Sequence, residues 1–459
     1  MNSDHASQIH EASIALLDNP GVKIEHDEVY KILVKAGAIA GKNPYVIRLP
    51  KELVMECVAL APSEVFLANR RDQGQVVTPT GNSLIWSVPG IYILRNGIHR
   101  PFVKSDMADL SRLIDKLSQV DGVFGMSMDD VPPAARDLVG LRIMAENTTK
   151  HIRVLSFSPE GADAICEMKD VIGDFPWFSM GFTAHGPLRW TNLAVEIFKR
   201  TAKKKIPVTI NGEPMAGVSG PVTLAGSAAV GNAEILAGLV INQILEPGRP
   251  CIYNLGLAHI FDMRTAIAVT GAPENHLFAG ISAAMGRFYN LPSCSWVSTE
   301  SMCVDSQAAI EKSIGFFTHL QNGVNVIWGA GQLESELTIS PAQAVIDNEI
   351  IGYVKRLLKG VEVTDETLAV DLIRKIGISG EFLSSEHTLF NFSTELFEPS
   401  LLFRKKRPDW QNSGSKSLNE IAESMADEII SAPRSKMISD EQSNSLRKIE
   451  ESFLNTHNT

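Results

Sequence analysis

Acidic and imidazole residues collect just after the short apolar runs of this chain. In order, those junctions read Asp129-Asp130, Ser158, His185-Gly-Pro, Glu213-Pro, Gly256-Leu-Ala-His259, Ser298-Thr-Glu300, Gly329-Ala-Gly-Gln-Leu-Glu334 and Glu386-His387. Several of the runs end on an aromatic side chain: Phe182, Tyr253, Trp296 and Trp328. Rings beside carboxylates are what a quaternary ammonium requires, because that cation has no N–H to donate and must be held by π faces and charge. The other use of four such rings is to fill a layered barrel core. The Gly-rich stretch Asn211-Gly-Glu-Pro-Met-Ala-Gly-Val-Ser-Gly-Pro-Val-Thr-Leu-Ala-Gly226 carries one carboxylate, Glu213, and no basic residue, which argues against a phosphate cradle.

The elements that must position these residues alternate. Apolar runs at Gly122 to Met126, Ile152 to Phe157, Phe178 to Thr183, Pro207 to Ile210, Pro250 to Asn254, Ser293 to Val297, Val324 to Trp328 and Glu381 to Ser384 read as strands. The stretches between them are long enough for helices and often open on Pro, Ser or Asp, as at Pro159, Pro273, Asp305 and Pro341. Eight strands alternating with helices predict a (β/α)₈ TIM barrel over residues 104–412. A doubly wound open sheet is the rival, but no Gly-x-Gly-x-x-Gly follows the first strand. Residues 1–103 differ: helical patterns at Ser7 to Leu17, His26 to Ala36 and Pro50 to Ala61 precede hairpin-like segments at Ser83 to Ser87, Ile91 to Leu94 and His99 to Val103. They form an N-terminal helical and β-hairpin cap subdomain. Residues 413–459 form a C-terminal helical tail that packs outside the barrel or against another subunit.

Composition narrows the function. With 459 residues, 44% hydrophobic and 21% charged, the chain can bury one large core and accessory pieces. A net charge of −11 disfavours nucleic acid as a partner, since phosphates need a basic face. The start resembles no secretory signal, and the apolar stretch Leu224 to Leu245 is interrupted by Asn232, Glu234, Asn242 and Gln243, so a buried helix explains it better than a membrane span. Five scattered cysteines suit a reducing, cytoplasmic setting rather than a disulfide framework. Cys294 and Cys303 with His276 could form a zinc site, but free Cys is most often a small buried hydrophobe, and no metal is expected.

Three motifs in order carry a resemblance that spans nearly the whole chain. The Asn211-Gly-Glu-Pro to Gly226 loop, Gly329-Ala-Gly-Gln-Leu-Glu-Ser335 leading into Val345-Ile-Asp-Asn-Glu349, and Phe382-Leu-Ser-Ser-Glu-His-Thr388 resemble the trimethylamine methyltransferase superfamily. The resemblance implies a (β/α)₈ enzyme that passes a methyl group from an amine to the cobalt of a partner corrinoid protein. Founding members carry pyrrolysine in the Gly-Ala-Gly-x-Leu-x-Ser loop, where this chain has Glu334. Glutamate cannot form the adduct that activates a neutral methylamine, so the non-pyrrolysine branch, which demethylates betaines, is the expectation. A quaternary ammonium already has a neutral tertiary amine as its leaving group. The protein must then supply alignment and a dry site rather than a covalent catalyst.

In that scheme Phe182, Tyr253, Trp296 and Trp328 wall the ammonium, Glu213 and Glu334 supply negative charge, and His387, His259, Arg95 or Arg189 anchors a substrate carboxylate. Gly329 and Gly331 leave room for the corrin ring, or simply make a tight turn. Asp129-Asp130 and Asp347 are helix caps. The corrinoid belongs to the partner protein, and no tightly bound cofactor is expected. A homo-oligomer is expected; a membrane partner is not. The alternatives are transfer from a sulfonium or a methylamine, and a non-catalytic quaternary-amine binding protein.

Overall fold

The computed structural model describes residues 3–457. Its centre is a closed barrel of eight strands in sequence order. These are β1 (Leu84–Ser87), β2 (Gly122–Phe124), β3 (His151–Arg153), β4 (Phe178–Thr183), β5 (Val208–Asn211), β6 (Cys251–Gly256), β7 (Ser293–Trp296) and β8 (Val326–Ala330). All eight neighbouring pairs are parallel, including β8 with β1 and β1 with β2, which close the ring. The expected α/β barrel is therefore the observed fold, and seven of its expected strands pair in it.

The eighth strand is a correction. Glu381 to Ser384 is an exposed turn, and Leu84–Ser87, expected as a hairpin arm, takes the remaining place. All four residues of Leu84–Ser87 are buried, as a parallel strand covered on both faces must be. The boundary expected between residues 103 and 104 consequently falls inside the barrel. The hairpin expected around Asn96-Gly97 is present, Tyr92–Arg95 pairing with Ile98–Pro101.

Parity along the strands sorts side chains between two cores. Trp86, Phe124, Ile252, Cys294, Trp296, Val326 and Trp328 form an inner cluster in the barrel. Ile85, Val123, Ile152, Phe182, Ile210, Tyr253 and Ile327 belong to the outer cluster, between strands and helices. The hairpin Val65–Ala68 with Gly74–Val77 adds Val65, Leu67 and Val77 to the inner cluster beside Leu84 and Trp86, so part of the N-terminal region plugs the barrel floor.

The helix Leu224–Leu245 is long and apolar enough to cross a membrane but is mostly buried here, packed on Ser3–Asp18 and Lys51–Leu60. The tail packs outside the barrel: Leu418–Ser431 lies on the helix Pro341–Lys359, and Asp440–His457 lies on Pro159–Ile172.

Candidate active site

A cavity of about 320 Å³ opens at the C-terminal ends of the strands. Its walls include Phe124 at the end of β2, Arg153 at the end of β3, Asn211 at the end of β5, Trp296 and Trp328, with Glu213 and Glu336 from the loops above. Among the described residues that line it, Arg153 is the one Lys or Arg, and the two Glu are the only carboxylates.

Parity explains which predicted residues arrive. On β5 the inward positions continue into the loop at Glu213, two residues past Asn211. Asn254 Nδ2 donates to Asn211 Oδ1 (3.0 Å) and Asn211 Nδ2 donates to Thr183 Oγ1 (2.9 Å), a neutral polar row running across β6, β5 and β4. Glu213 makes no hydrogen bond to the described protein. Burial alone pushes its carboxyl up to about 7. Behind it, Glu234 accepts from Leu188 N–H (2.8 Å), and burial also raises its carboxyl to about 7, with the charge of Glu213 adding to the effect. Glu336 is driven well above the usual carboxylate range by burial first and by Glu213 second.

Trp296 and Trp328 are direct register partners across β7 and β8, and both line the cavity. Phe124 meets Trp328 edge-on with ring centroids 5.0 Å apart. Arg153 is the residue that sequence reading missed. Its guanidinium lies over the Phe124 ring at 5.2 Å and the Trp328 ring at 5.7 Å. Nη1 donates to Val154 O (2.7 Å) and Nη2 to Thr209 Oγ1 (3.1 Å). Nε has no partner in the protein, nor have the indole nitrogens of Trp296 and Trp328. Burial lowers the guanidinium to about 9, which still leaves it charged near neutrality. Gly181 makes the socket: a Cβ there would lie 1.7 Å from Arg153 Nη2. The missed signal was a charge inside an otherwise apolar run, Ile152 to Phe157.

Several expected site residues stand elsewhere. Phe182 borders the cavity, yet its ring stacks on Phe198 of the helix Asn192–Arg200 with centroids 3.9 Å apart. Tyr253, also at an outward position, donates through its hydroxyl to Asn232 Oδ1 (2.8 Å) in the helix layer. His259 is buried, Nδ1 lying 3.0 Å from Leu257 O, and does not line the cavity. His387 sits on the peripheral helix Glu386–Glu395, since the strand expected to carry it to the mouth does not form. Arg95 is held by Asp109 (2.9 Å) and Asp427 (2.7 Å), and Arg189 lies 3.9 Å from Glu25.

Glu334 does not face the cavity; Glu336 does. Glu334, Ser335 and Glu336 have φ of 54°, 48° and 81°, so three successive left-handed residues reverse the chain. Glu334 consequently accepts from Thr338 Oγ1 and lies 3.2 Å from His99 Nε2, in the sheet beside the Tyr92–Arg95 hairpin. Ser301 O and Thr299 O hold the turn by accepting from the Glu334 and Ser335 N–H groups (2.9 and 3.0 Å). With its amide oriented to satisfy its neighbours, Gln332 accepts from Glu336 N–H (2.6 Å).

The glycines expected to admit a corrin ring answer to the protein's own packing. At Gly329 (φ +131°) a Cβ would come within 2.0 Å of Val297 O on the neighbouring strand, and Gly331 (φ +89°) faces Ile339 and Ala344. Asp347 is no helix cap: it accepts from Gly331 N–H (2.7 Å) and pairs with Lys312 (3.0 Å). Cys294, Cys303 and His276 do not converge; among the described residues no three His, Cys, Asp or Glu are placed to hold a metal.

The arrangement is a cavity whose walls combine a fixed cation, Arg153, two indoles, and two carboxyls, Glu213 and Glu336, that the protein leaves without hydrogen-bond donors. Its polarity suits a compact molecule that carries both charges.

Comparison with known proteins agrees with the barrel. The model of the trimethylamine methyltransferase (MTTB) family matches residues 1–451. The chain is 31% identical to a trimethylamine methyltransferase MttB of Desulfitobacterium hafniense over 434 residues, covering 90% of this chain and 86% of the relative. It is 29% identical to a glycine betaine methyltransferase of the same species over 425 residues, covering 89% and 88%. The solved Methanosarcina barkeri monomethylamine methyltransferase (MtmB) shares the fold at a TM-score of 0.50 and 14% identity, covering 98% of this chain and 92% of that one. By the extent of these matches, the chain belongs to the trimethylamine methyltransferase (MTTB) family of methyltransferases.

Proposed function

We propose that this enzyme demethylates a betaine, a quaternary amine that also carries a carboxylate, and delivers the methyl group to the Co(I) centre of a partner corrinoid protein. The observation that carries this reading is Arg153. A buried guanidinium repels a bare cation but pairs with a carboxylate, and its unpartnered Nε, with two unpartnered indole N–H groups, lacks the acceptors that a carboxylate provides. The other pole of a betaine fits the two loop carboxyls. Glu213 and Glu336 face the cavity without hydrogen-bond donors, and an ammonium bearing only methyl groups has none to give.

The reaction asks little more of these side chains. The N–CH₃ bond breaks with its electron pair left on nitrogen, the acceptor supplies the pair for the new bond, and a neutral tertiary amine leaves. No proton is required at any stage. Carboxylates close to nitrogen favour the charged donor over a transition state in which that charge is fading, and carboxyls whose ionisation burial holds back exert less of that pull. The glutamate at 334 agrees with a branch that needs no covalent amine activator. One family relative is itself named for glycine betaine.

The test is methylation of reduced corrinoid, free or on its cognate protein, by glycine betaine, carnitine, proline betaine, choline and trimethylamine. Turnover should be confined to the carboxylate-bearing donors, with choline weak. Turnover of trimethylamine and of no quaternary compound would overturn the proposal, and saturable betaine binding without methyl transfer would make the protein a binding module. Adding a sulfonium carboxylate to the panel separates nitrogen from sulfur donors.

A further inference from the structure

After the helix Pro341–Lys359 the chain leaves the barrel as an arm and returns to the same helix where Phe397 meets Tyr353 (ring centroids 5.5 Å) and Ser400 donates to Glu349 (2.6 Å). Its helices Asp365–Leu368, Val370–Ile376 and Glu386–Glu395 have four, seven and ten residues, and none of the three buries a single residue. Helices so short are marginal in water unless a face is docked. The arm nevertheless displays large apolar side chains along its length: Ile378 is fully exposed (101%), Leu383 is 85% exposed and Phe390 71%. Apolar patches on this scale mark contact surfaces.

The complement lies at the arm's own base. An apolar groove of about 670 Å³ runs between the helices Ser306–Asn322 and Pro341–Lys359, walled by Ile314, Phe317, Ile350, Tyr353, Leu357 and Leu402. Charge is complementary in the same way. Residues 361–400 carry eight carboxylates against Arg374 and Lys375, and are followed by Arg404-Lys405-Lys406-Arg407. Among the described residues the arm's carboxylates make two ion pairs, Glu395 with Arg356 and Asp371 with Arg374, and the four trailing cations make none.

An apolar, acidic projection beside an apolar groove and a basic run is self-complementary, the condition for a two-fold interface. We propose that two copies of this chain exchange arms, each laying residues 361–394 across the groove and basic run of the other. The methyl acceptor is the wrong occupant for this surface. The helix Pro341–Lys359 starts at the cavity end of the barrel, and its last turn borders Ser83, Leu84 and Asp121, where β1 and β2 begin. The arm therefore departs from the end opposite the cavity. A dimer built there leaves both mouths open, and the proposal does not depend on which amine is the substrate.

Sedimentation of the full chain at micromolar concentration should give twice the 50.0 kDa chain mass. Ile378→Asp with Leu383→Asp, both at exposed positions, should weaken association by about 100-fold or more, with the circular dichroism melt unchanged. Lys405→Glu with Lys406→Glu should also weaken it, and adding Glu381→Lys with Glu386→Lys should restore it. A photo-crosslinker at position 383, in a mixture of isotopically labelled and unlabelled chains, should form inter-chain adducts with the groove helices. A wild-type monomer at about 50 µM overturns the proposal, since a specific interface of standard size associates well below that. So does a dimer indifferent to both substitution pairs, or crosslinks confined to one chain or to another surface.

Discussion

Two clusters of buried titratable side chains in this barrel are built on opposite principles. Lys312 and Asp347 are fully buried, 3.0 Å apart, and saturated: Lys312 also donates to Gly329 O, and Asp347 accepts from Gly331 N–H and Gln343 Nε2. Glu213 and Glu336 share a cavity with Arg153, and neither carboxylate has a hydrogen-bond donor from the protein. Burial has raised both instead. A charge whose hydrogen-bonding capacity is spent inside the protein holds the fold. A titratable group left without partners in a chamber, its ionisation held back by burial, is available to a ligand. The first cluster pins the Gly329–Gly331 turn, and the second is the candidate site.

The sharpest way to break this comparison is to remove half of the saturated pair. Lys312→Met strands the Asp347 carboxylate and should destabilise the protein by about 3–5 kcal/mol in thermal or denaturant unfolding, with much of the loss recovered by Lys312→Met/Asp347→Leu. A small loss would mean that the pair is not the brace assigned here. The next effect belongs to Arg153→Met, expected to weaken carboxylate-bearing donors by about 2 kcal/mol or more while leaving choline binding unchanged or improved. Equal losses for both donors, read by calorimetry, would reduce Arg153 to a packing residue.

Trp296→Ala and Trp328→Ala should each raise KM by several-fold, the lost π contact being worth on the order of 1 kcal/mol. Unchanged kinetics would leave the rings as barrel filling. Titration supplies a further test. A carboxyl raised to about 7 is half protonated near neutrality, so affinity for the ammonium should rise with pH through about 7 and fall below it, and Glu213→Gln should flatten that profile. The contribution of Glu213 to folding runs the other way: it is fully present below the ordinary carboxylate range and lost as pH rises through about 7. The smallest effect is expected from Glu334→Gln, because Glu334 bonds Thr338 and His99 beside the hairpin and not the cavity. A large fall in turnover there would return the loop residue to the mechanism and demote Glu336.

Most of the barrel was legible because helix and strand periods differ and the strands are continuous apolar runs. The pair Trp296 and Trp328 and the loop acid Glu213 were legible for the same reason, as residues at strand ends. Phe182 and Tyr253 were not separable by residue type. One register step places an aromatic on the helix side, and only counting inward positions along each strand distinguishes the two outcomes. Leu84–Ser87 was hidden because a strand of four residues just before a hairpin resembles a hairpin arm. Arg153 was overlooked because a guanidinium inside an apolar run reads as an interruption until the ring of strands encloses it.

Local chemistry in the chain determined the element types, the order of the strands and the presence of rings and carboxylates at one end of the barrel. These follow from periodicity, from turn residues and from the rule that loops after parallel strands share a face. The tertiary structure decided which of those groups meet. Three left-handed residues turned Glu334 out and Glu336 in, closure of the ring by β1 left His387 on the periphery, and packing of β3 beside Gly181 lowered a guanidinium into the chamber. Each of these depends on contacts between residues far apart in the chain, and no local propensity specifies them.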